Sequence, residues 1–214
     1  MLHYPKIPGS QDAPAGRCLA FEKLDGTNLH WNWDRDFGWH AFGTRRDAFN
    51  LTADGVAQFQ AAHPGLEQAA EVFLAQLADG IERVFRTDPG FAAFPAAKVF
   101  TEYVGPNSFA GAHGPDDPME VVLFDVMAEG FGTVGPWAFV AAFGHLNTPR
   151  VVYEGKLTGA FLEAVREGKY GVAEGVVCKG GTGGEDVWMV KVKTYAYLEK
   201  LKASFGARWR EYWE

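Results

Sequence analysis

The sequence predicts a mixed α+β domain built mainly on antiparallel sheet with flanking helices. Three observations carry that expectation: short strand-like apolar runs recur along the chain, two of them flank a four-residue polar turn, and one long stretch has helical periodicity. With 214 residues, 47% of them hydrophobic, the chain can bury one proper core but not two domains of ordinary size. CLAFEKL (18–24) and NLHWNWD (28–34) bracket the turn DGTN, and the second run alternates Leu29, Trp31 and Trp33 on one face. The pair reads as a hairpin whose turn presents Asp25 and Gly26, and FGWHAFG (37–43) continues the meander. Residues 66–86 place Leu66, Phe73, Leu74, Leu77, Ile81 and Phe85 three and four apart, the spacing of an amphipathic scaffold helix. KVFTEYV (98–104), MEVVLFDVM (119–127), RVVYEG (150–155), GVVCKG (175–180) and DVWMVKVK (186–193) read as strands. Segments 136–145 and 158–167 read as short helices opened by Pro136 and Thr158.

Composition narrows the function. No apolar run approaches the roughly 20 residues that span a bilayer, and the first residues lack a signal-peptide core, so a soluble cytoplasmic protein without a membrane partner is expected. Cys18 and Cys178 each sit in an apolar run without a CxxC partner and read as reduced core residues. His40 and His113 have no metal-ligand spacing. The formal charge of -7 argues against a broad phosphate-gripping face, so any polynucleotide contact is local or metal-assisted.

Chemistry begins at Glu22-Lys23-Leu24-Asp25-Gly26-Thr27-Asn28. A lysine at a strand end beside a glycine-bearing turn can face a pocket while the turn backbone closes on a nucleotide. A surface hairpin with a solvated lysine is the alternative. Other charges interrupt strands that otherwise read as apolar: Glu102, Asp125, Glu174, Lys191 and Lys193. Period-2 geometry puts Lys191 and Lys193 on one face and Val190 and Val192 on the other. Burying such charges unpaired is costly, so they face one another, a charged ligand, or one wet side of an amphipathic sheet.

Six segments in order, EKLDGTN, GTRRD, FTEYVGPNSF, VVLFDVM, EGVVCKG and WMVKVKT, resemble the motifs of the covalent nucleotidyltransferases: ATP-dependent DNA ligases, RNA ligases and mRNA capping enzymes. The resemblance spans residues 18–194, and an ordered set is far more specific than any member of it. Glu102 to Asn107, KLDGTN and TPRVVYEGKL look most similar to RNA ligases of the phage RNA ligase 2 type, with DNA ligases second. The resemblance implies an ATP-grasp-like nucleotidyltransferase domain. It implies Lys23 as the nucleophile that carries AMP, with Asp25, Gly26 and Asn28 shaping the turn beside the ribose and phosphate. Arg45, with Arg46 as the neighbouring option, is expected to contact sugar or phosphate, and Glu102 a ribose hydroxyl. Phe124 is expected to stack on adenine, Glu22 to lie near the base edge, Glu174 to help hold a divalent metal, and Lys191 and Lys193 to bind the α-phosphate. Lys179 is secondary.

The implied cofactors are ATP and Mg2+, with Mn2+ as a substitute. The implied partners are ATP and a polynucleotide with 5′-phosphate and 3′-hydroxyl ends, most naturally RNA, with room for a partner protein that helps bind the ends. The chain reads as one nucleotidyltransferase domain, 1–214, in which 195–214 form a short helical tail. That tail leaves no space for the OB or helical domains of the family, so self-adenylylation is expected to outpace strand sealing. The tail's Arg208, Trp209, Arg210, Tyr212 and Trp213 could touch a strand, but an amphipathic helix packed on the domain is the better reading. A minimal DNA ligase and a non-catalytic nucleotide-binding adaptor are the competing readings. Base choice is testable at this level: a pocket shaped for adenine leaves its polar groups unpaired against guanine, so GTP is expected to label the protein poorly. Equal labelling by GTP and ATP would favour the capping branch.

Overall fold

The computed structural model describes residues 4–106 and 116–212. Two antiparallel sheets organise the chain, a four-stranded one and a six-stranded one. The first holds β1 (Arg17–Lys23), β8 (Val151–Lys156), β9 (Gly175–Gly180) and β10 (Trp188–Lys193), in the order β10-β9-β1-β8. The second holds β2 (Thr27–Asp34), β3 (Gly38–Thr44), β4 (Phe49–Asn50), β5 (Ala96–Val104), β6 (Glu120–Ala128) and β7 (Gly132–Thr133), in the order β4-β3-β2-β5-β6-β7.

The expected hairpin over 18–34 is not there. β1 pairs with β8 and β9, while β2 pairs with β3 and β5, so the DGTN segment carries the chain from one sheet to the other. Local turn chemistry marks a change of direction and says nothing about which strand lies alongside. Gly26 makes the crossing possible: a Cβ there would lie 2.2 Å from the Tyr103 carbonyl oxygen and 2.8 Å from Val104 Cγ1.

Alternation assigns the faces. Leu29, Trp31 and Trp33 of β2 join Phe42, Val99 and Leu123 in a core against α1 (Ala53–Ala62), α2 (Ala69–Phe73) and α3 (Asp79–Thr87). The helix expected at 66–86 is thus α2 and α3 joined through a π-helical turn at Leu74–Ala78. Helix α1 escapes pattern reading because only Gly55 and Phe59 are buried on it; Thr52 starts it by accepting a hydrogen bond from Gly55 N. Helix α4 (Pro136–Phe143) closes one end of this core through Phe139 and Phe143. A second core lies behind the four-stranded sheet, where Cys18, Ala20, Val176, Cys178, Val190 and Val192 pack on Phe161 and Val165 of α5 (Gly159–Arg166). Both cysteines are buried and free. Helix α6 (Tyr195–Phe205) follows β10 directly and is capped by Thr194; its Tyr197, Leu198 and Leu201 are buried in a small cluster with Phe205 and Trp209 of the same tail. Trp213 and His113 lie outside the described residues. Among the described residues no helix is long and apolar enough to cross a membrane.

Trp31 is the keystone of the larger core. Its ring stacks on Phe73 at 3.8 Å and on Phe42 at 5.3 Å, and Nε1 donates to Thr101 Oγ1 at 2.8 Å. Trp31→Ala is expected to cost about 3–5 kcal/mol in chemical denaturation, the range for large aromatic truncations in cores. A loss below about 1 kcal/mol would show that the neighbouring rings close over the gap.

Candidate active site

The inner faces of the two sheets bound a cleft, and the β1 to β2 crossing sits at its mouth. On β1, Leu19 and Phe21 face inward by alternation, and the strand ends with Lys23 on that same face. Lys23 Nζ donates to Glu174 Oε2 at 2.8 Å. Glu174 precedes β9, is 1% exposed, and also takes Lys193 Nζ at 3.5 Å on its Oε1. From the opposite sheet Glu102 Oε1 accepts from Gly26 N at 3.0 Å, which fixes the crossing turn to β5. Tyr197 of α6, which sequence reasoning passed over, hydrogen-bonds the Asp25 side chain and lies beneath Lys193 Nζ at 4.9 Å from its ring centre. Asp25 Oδ2 is buried without a hydrogen-bond partner.

These contacts set the protonation states. Burial pulls the Lys23 amine down, but Glu174, Glu102 and Asp25 together outweigh it and leave the pKa above the ordinary lysine value. Lys193 is held below its ordinary value by burial, with Lys23 adding repulsion and Glu174 opposing. Burial raises Glu102 to about 7 against the pull of Lys23 and the Gly26 amide. The cleft therefore holds Lys23 as an ammonium.

The far side of the cleft is aromatic. In β6 the register steps from Thr101↔Leu123 to Phe100↔Asp125, so Phe124 is the extra residue of a β-bulge. Phe124 is half-buried and lines a cavity of about 120 Å³ together with Lys23, Leu24, Asn28, Glu102, Val177 and Lys179. Lys179 Nζ bonds to Phe124 O at 2.7 Å and to Asp125 Oδ2 at 2.9 Å, a buried ion pair that ties the two sheets together. Its strand position beside Val177 was legible; its partner, distant in sequence, was not.

Glu22 also lines this cavity, and its carboxylate meets Arg150 at 3.1 Å. Arg45 and Arg46 instead line a neighbouring cavity of about 330 Å³ with His30, Lys98 and Phe100. Lys191 shares the inward face with Lys193, but its backbone amide is bonded to Pro8 O at 3.0 Å, a step away from Glu174. The cleft thus gathers Lys23, Asp25, Gly26, Glu102, Glu174 and Lys193 closely, with Asn28 and Phe124 along its wall. Arg45 and Lys191 stand at its margins. Asn107, part of the expected E-x-x-G-P-N stretch, lies outside the described residues.

Among the described residues no three His, Cys, Asp or Glu side chains gather to hold a metal ion. Magnesium needs only one or two carboxylates when phosphate oxygens and water complete its shell. Asp25 Oδ2, buried without a hydrogen-bond partner, and Glu174, paired with Lys23, are the carboxylates in the cleft that could hold such an ion.

No protein-family model and no curated protein sequence matches the chain. Solved structures do match it. An archaeal ATP-dependent RNA ligase superposes over 99% of this chain and 55% of its own length, with a TM-score of 0.61 and 16% identity. An RNA ligase of Naegleria gruberi, in a form with ATP and manganese, covers 93% of this chain and 58% of its own length, with a TM-score of 0.57 and 16% identity. The fold is that of the ligase nucleotidyltransferases. An Aquifex aeolicus protein provisionally assigned as an ATP-dependent DNA ligase shares this nucleotidyltransferase fold over 99% of the chain, with a TM-score of 0.59 and 15% identity. The chain spans slightly more than half the length of each of these three structures.

Within this nucleotidyltransferase fold, Glu102 offers a direct test of the cleft's electrostatics. Its folded pKa of about 7 lies above the ordinary 4.5, so the protonated carboxyl stabilises the fold at low pH. That contribution is complete below pH 4.5 and is lost as pH rises through about 7. In chemical denaturation the stability of wild type relative to Glu102→Gln is expected to fall across that window. Parallel pH profiles for the two proteins would show the carboxyl to be solvated.

Proposed function

We propose that the chain is the nucleotidyltransferase domain of an ATP-dependent polynucleotide ligase, in which Lys23 carries AMP, and that its polynucleotide is RNA. The observation that carries the reading is the grouping of Lys23, Glu174, Lys193 and Glu102 at the mouth of the cleft in this fold. A binding module has no need of a lysine so placed.

The chemistry follows from the contacts. Lys23 must first lose a proton to water, which requires its ion pair with Glu174 Oε2 at 2.8 Å to open. The free amine then attacks the α-phosphorus of ATP; a P–N bond forms, the bond to the bridging oxygen breaks, and pyrophosphate leaves with the electron pair. Lys193 would offset charge on the α-phosphate, with Lys191 two residues before it on β10. Magnesium, when bound through Asp25 and Glu174, supplies positive charge against the phosphates and further disfavours the ammonium form of Lys23. Glu102 and Asn28 line the cavity where the ribose would rest, and Phe124 and Val177 bound the space for the base. In the second step an oxygen of the 5′-phosphate end attacks the same phosphorus and returns the lysine amine; in the third, the 3′-hydroxyl displaces AMP and seals the strand. Arg45 and Arg46, which line the neighbouring cavity, offer cations for a strand end.

The RNA assignment rests on the motif spellings and on the RNA ligases among the similar structures. Incubation with α-labelled ATP and magnesium, followed by denaturing electrophoresis, is expected to show an acid-labile adduct that Lys23→Ala abolishes. Absence of label on folded protein, or undiminished label on the variant, would remove the enzyme assignment. RNA-containing nicks are expected to be sealed in preference to all-DNA nicks, slowly and less well as salt rises; the reverse preference would move the chain to the DNA ligases.

A further inference from the structure

The residues ahead of β1 belong to none of the motifs, yet they enter the cleft. Gly9 makes a parallel bridge with Lys191, and Lys191 N donates to Pro8 O, so the segment first runs along the free edge of β10. It then turns inward, and Ile7 and Tyr4 become part of the wall around the Lys23 cavity. The Tyr4 ring lies 4.8 Å from Phe100 and 5.2 Å from Phe124, edge to face at 82° with the latter. Its hydroxyl donates to Asp125 Oδ2 at 2.9 Å and lies 3.2 Å from Met189 Sδ, so the side chain bridges the two sheets.

Tyr4 lines both the cavity beside Lys23 and the one beside Arg45. The former is about 120 Å³, well short of the ~300 Å³ at which pockets for small ligands begin. We propose that Tyr4 is a plug, and that segment 4–9 is a strap which must release it before a nucleotide can lie against Phe124. The inference rests on the proposed ATP chemistry of this cleft.

The contacts suit a part that moves. Asp125 Oδ2 also takes Lys179 Nζ, so withdrawal of the Tyr4 hydroxyl leaves no buried carboxylate without a partner. The strap's inner end is otherwise held by a long hydrogen bond from Arg45 Nη2 to Tyr4 O at 3.4 Å, while its outer end stays fixed to β10. The aromatic area lost from Phe124 when Tyr4 leaves is replaced by a base stacked on the same ring. Release would also join the two cavities and open Arg45, Arg46 and Lys98 to the bound nucleotide.

A plug lowers apparent affinity by the fraction of molecules in which it is withdrawn. Binding of α,β-methylene ATP with magnesium, which Lys23 cannot cleave, is measured by equilibrium dialysis on the full chain, on Tyr4→Ala and on Tyr4→Phe. Tyr4→Ala is expected to bind several-fold more tightly, with Tyr4→Phe between it and wild type. In wild type labelled with fluorotyrosine, the Tyr4 resonance, identified by its loss in Tyr4→Phe, is expected to move to a solvent-exposed position on saturation. Unchanged or weaker binding by Tyr4→Ala, or a resonance that stays in place while nucleotide binds, overturns the plug and makes Tyr4 a fixed wall. Should Tyr4→Ala fail to fold, the fluorine shift on wild type decides alone. Failure of every protein to bind the analogue overturns the ATP reading as well, an outcome distinct from binding that ignores Tyr4.

Discussion

The three residues between β1 and β2, Leu24 to Gly26, have to carry the chain from one sheet to the other with no space for a side chain at Gly26. Nearly everything in the cleft is referred to that crossing. It brings Lys23, the last residue of β1, near Glu102 of the other sheet, and the Gly26 amide bonded to Glu102 pins the join. Any residue larger than glycine would push against the Tyr103 backbone and displace β2 relative to β5. The spacing of the sheets and the reach of Lys23 would then change together.

Overall charge and local charge part company in this molecule. The chain carries a formal charge of -7, yet Lys98, Lys179 and Lys193 are buried along the inner faces of the sheets. Desolvating a lysine is unfavourable, and the structure offsets it with carboxylates of comparable burial: Asp125 for Lys179, Glu174 for Lys193 and Lys23. The result is a cleft in which Lys23, Lys179 and Lys193 each face a buried carboxylate. A net charge read from composition describes the outer surface, where most acids lie, and is silent about the interior.

The strands were legible from their apolar runs, and in β2 and β10 from alternation as well: β2, β5, β9 and β10 fall within two residues of their expected limits. The same patterning placed Val190 and Val192 in one core and the lysines of β10 on the opposite face. What failed was partnership. Neither the separate sheets of β1 and β2 nor the pairing of Lys179 with Asp125 is encoded within a window of a few residues. Helix α1 was invisible because it buries too little for an apolar stripe. Of the site residues, Lys23, Asp25, Gly26, Glu102, Glu174 and Lys193 lie together near the crossing, and Arg45 and Lys191 lie further out. Tyr4 had no sequence signal: a single tyrosine between Met1-Leu2-His3 and Pro5 carries no period, and its place depends on contacts with Asp125 and Met189 more than a hundred residues away.

The bulge at Phe124 binds two neighbouring residues into one inherited unit. A regular strand sends consecutive side chains to opposite faces, whereas here Phe124 lines the cavity and Asp125 meets Lys179 from across the same cleft. Straightening β6 by deleting one residue would turn either the ring or the carboxylate into the aromatic core behind the sheet. Drift along this strand is therefore constrained in length as well as in composition: substitutions can be explored one at a time, but a single-residue gap would forfeit the aromatic wall or the tie between the sheets.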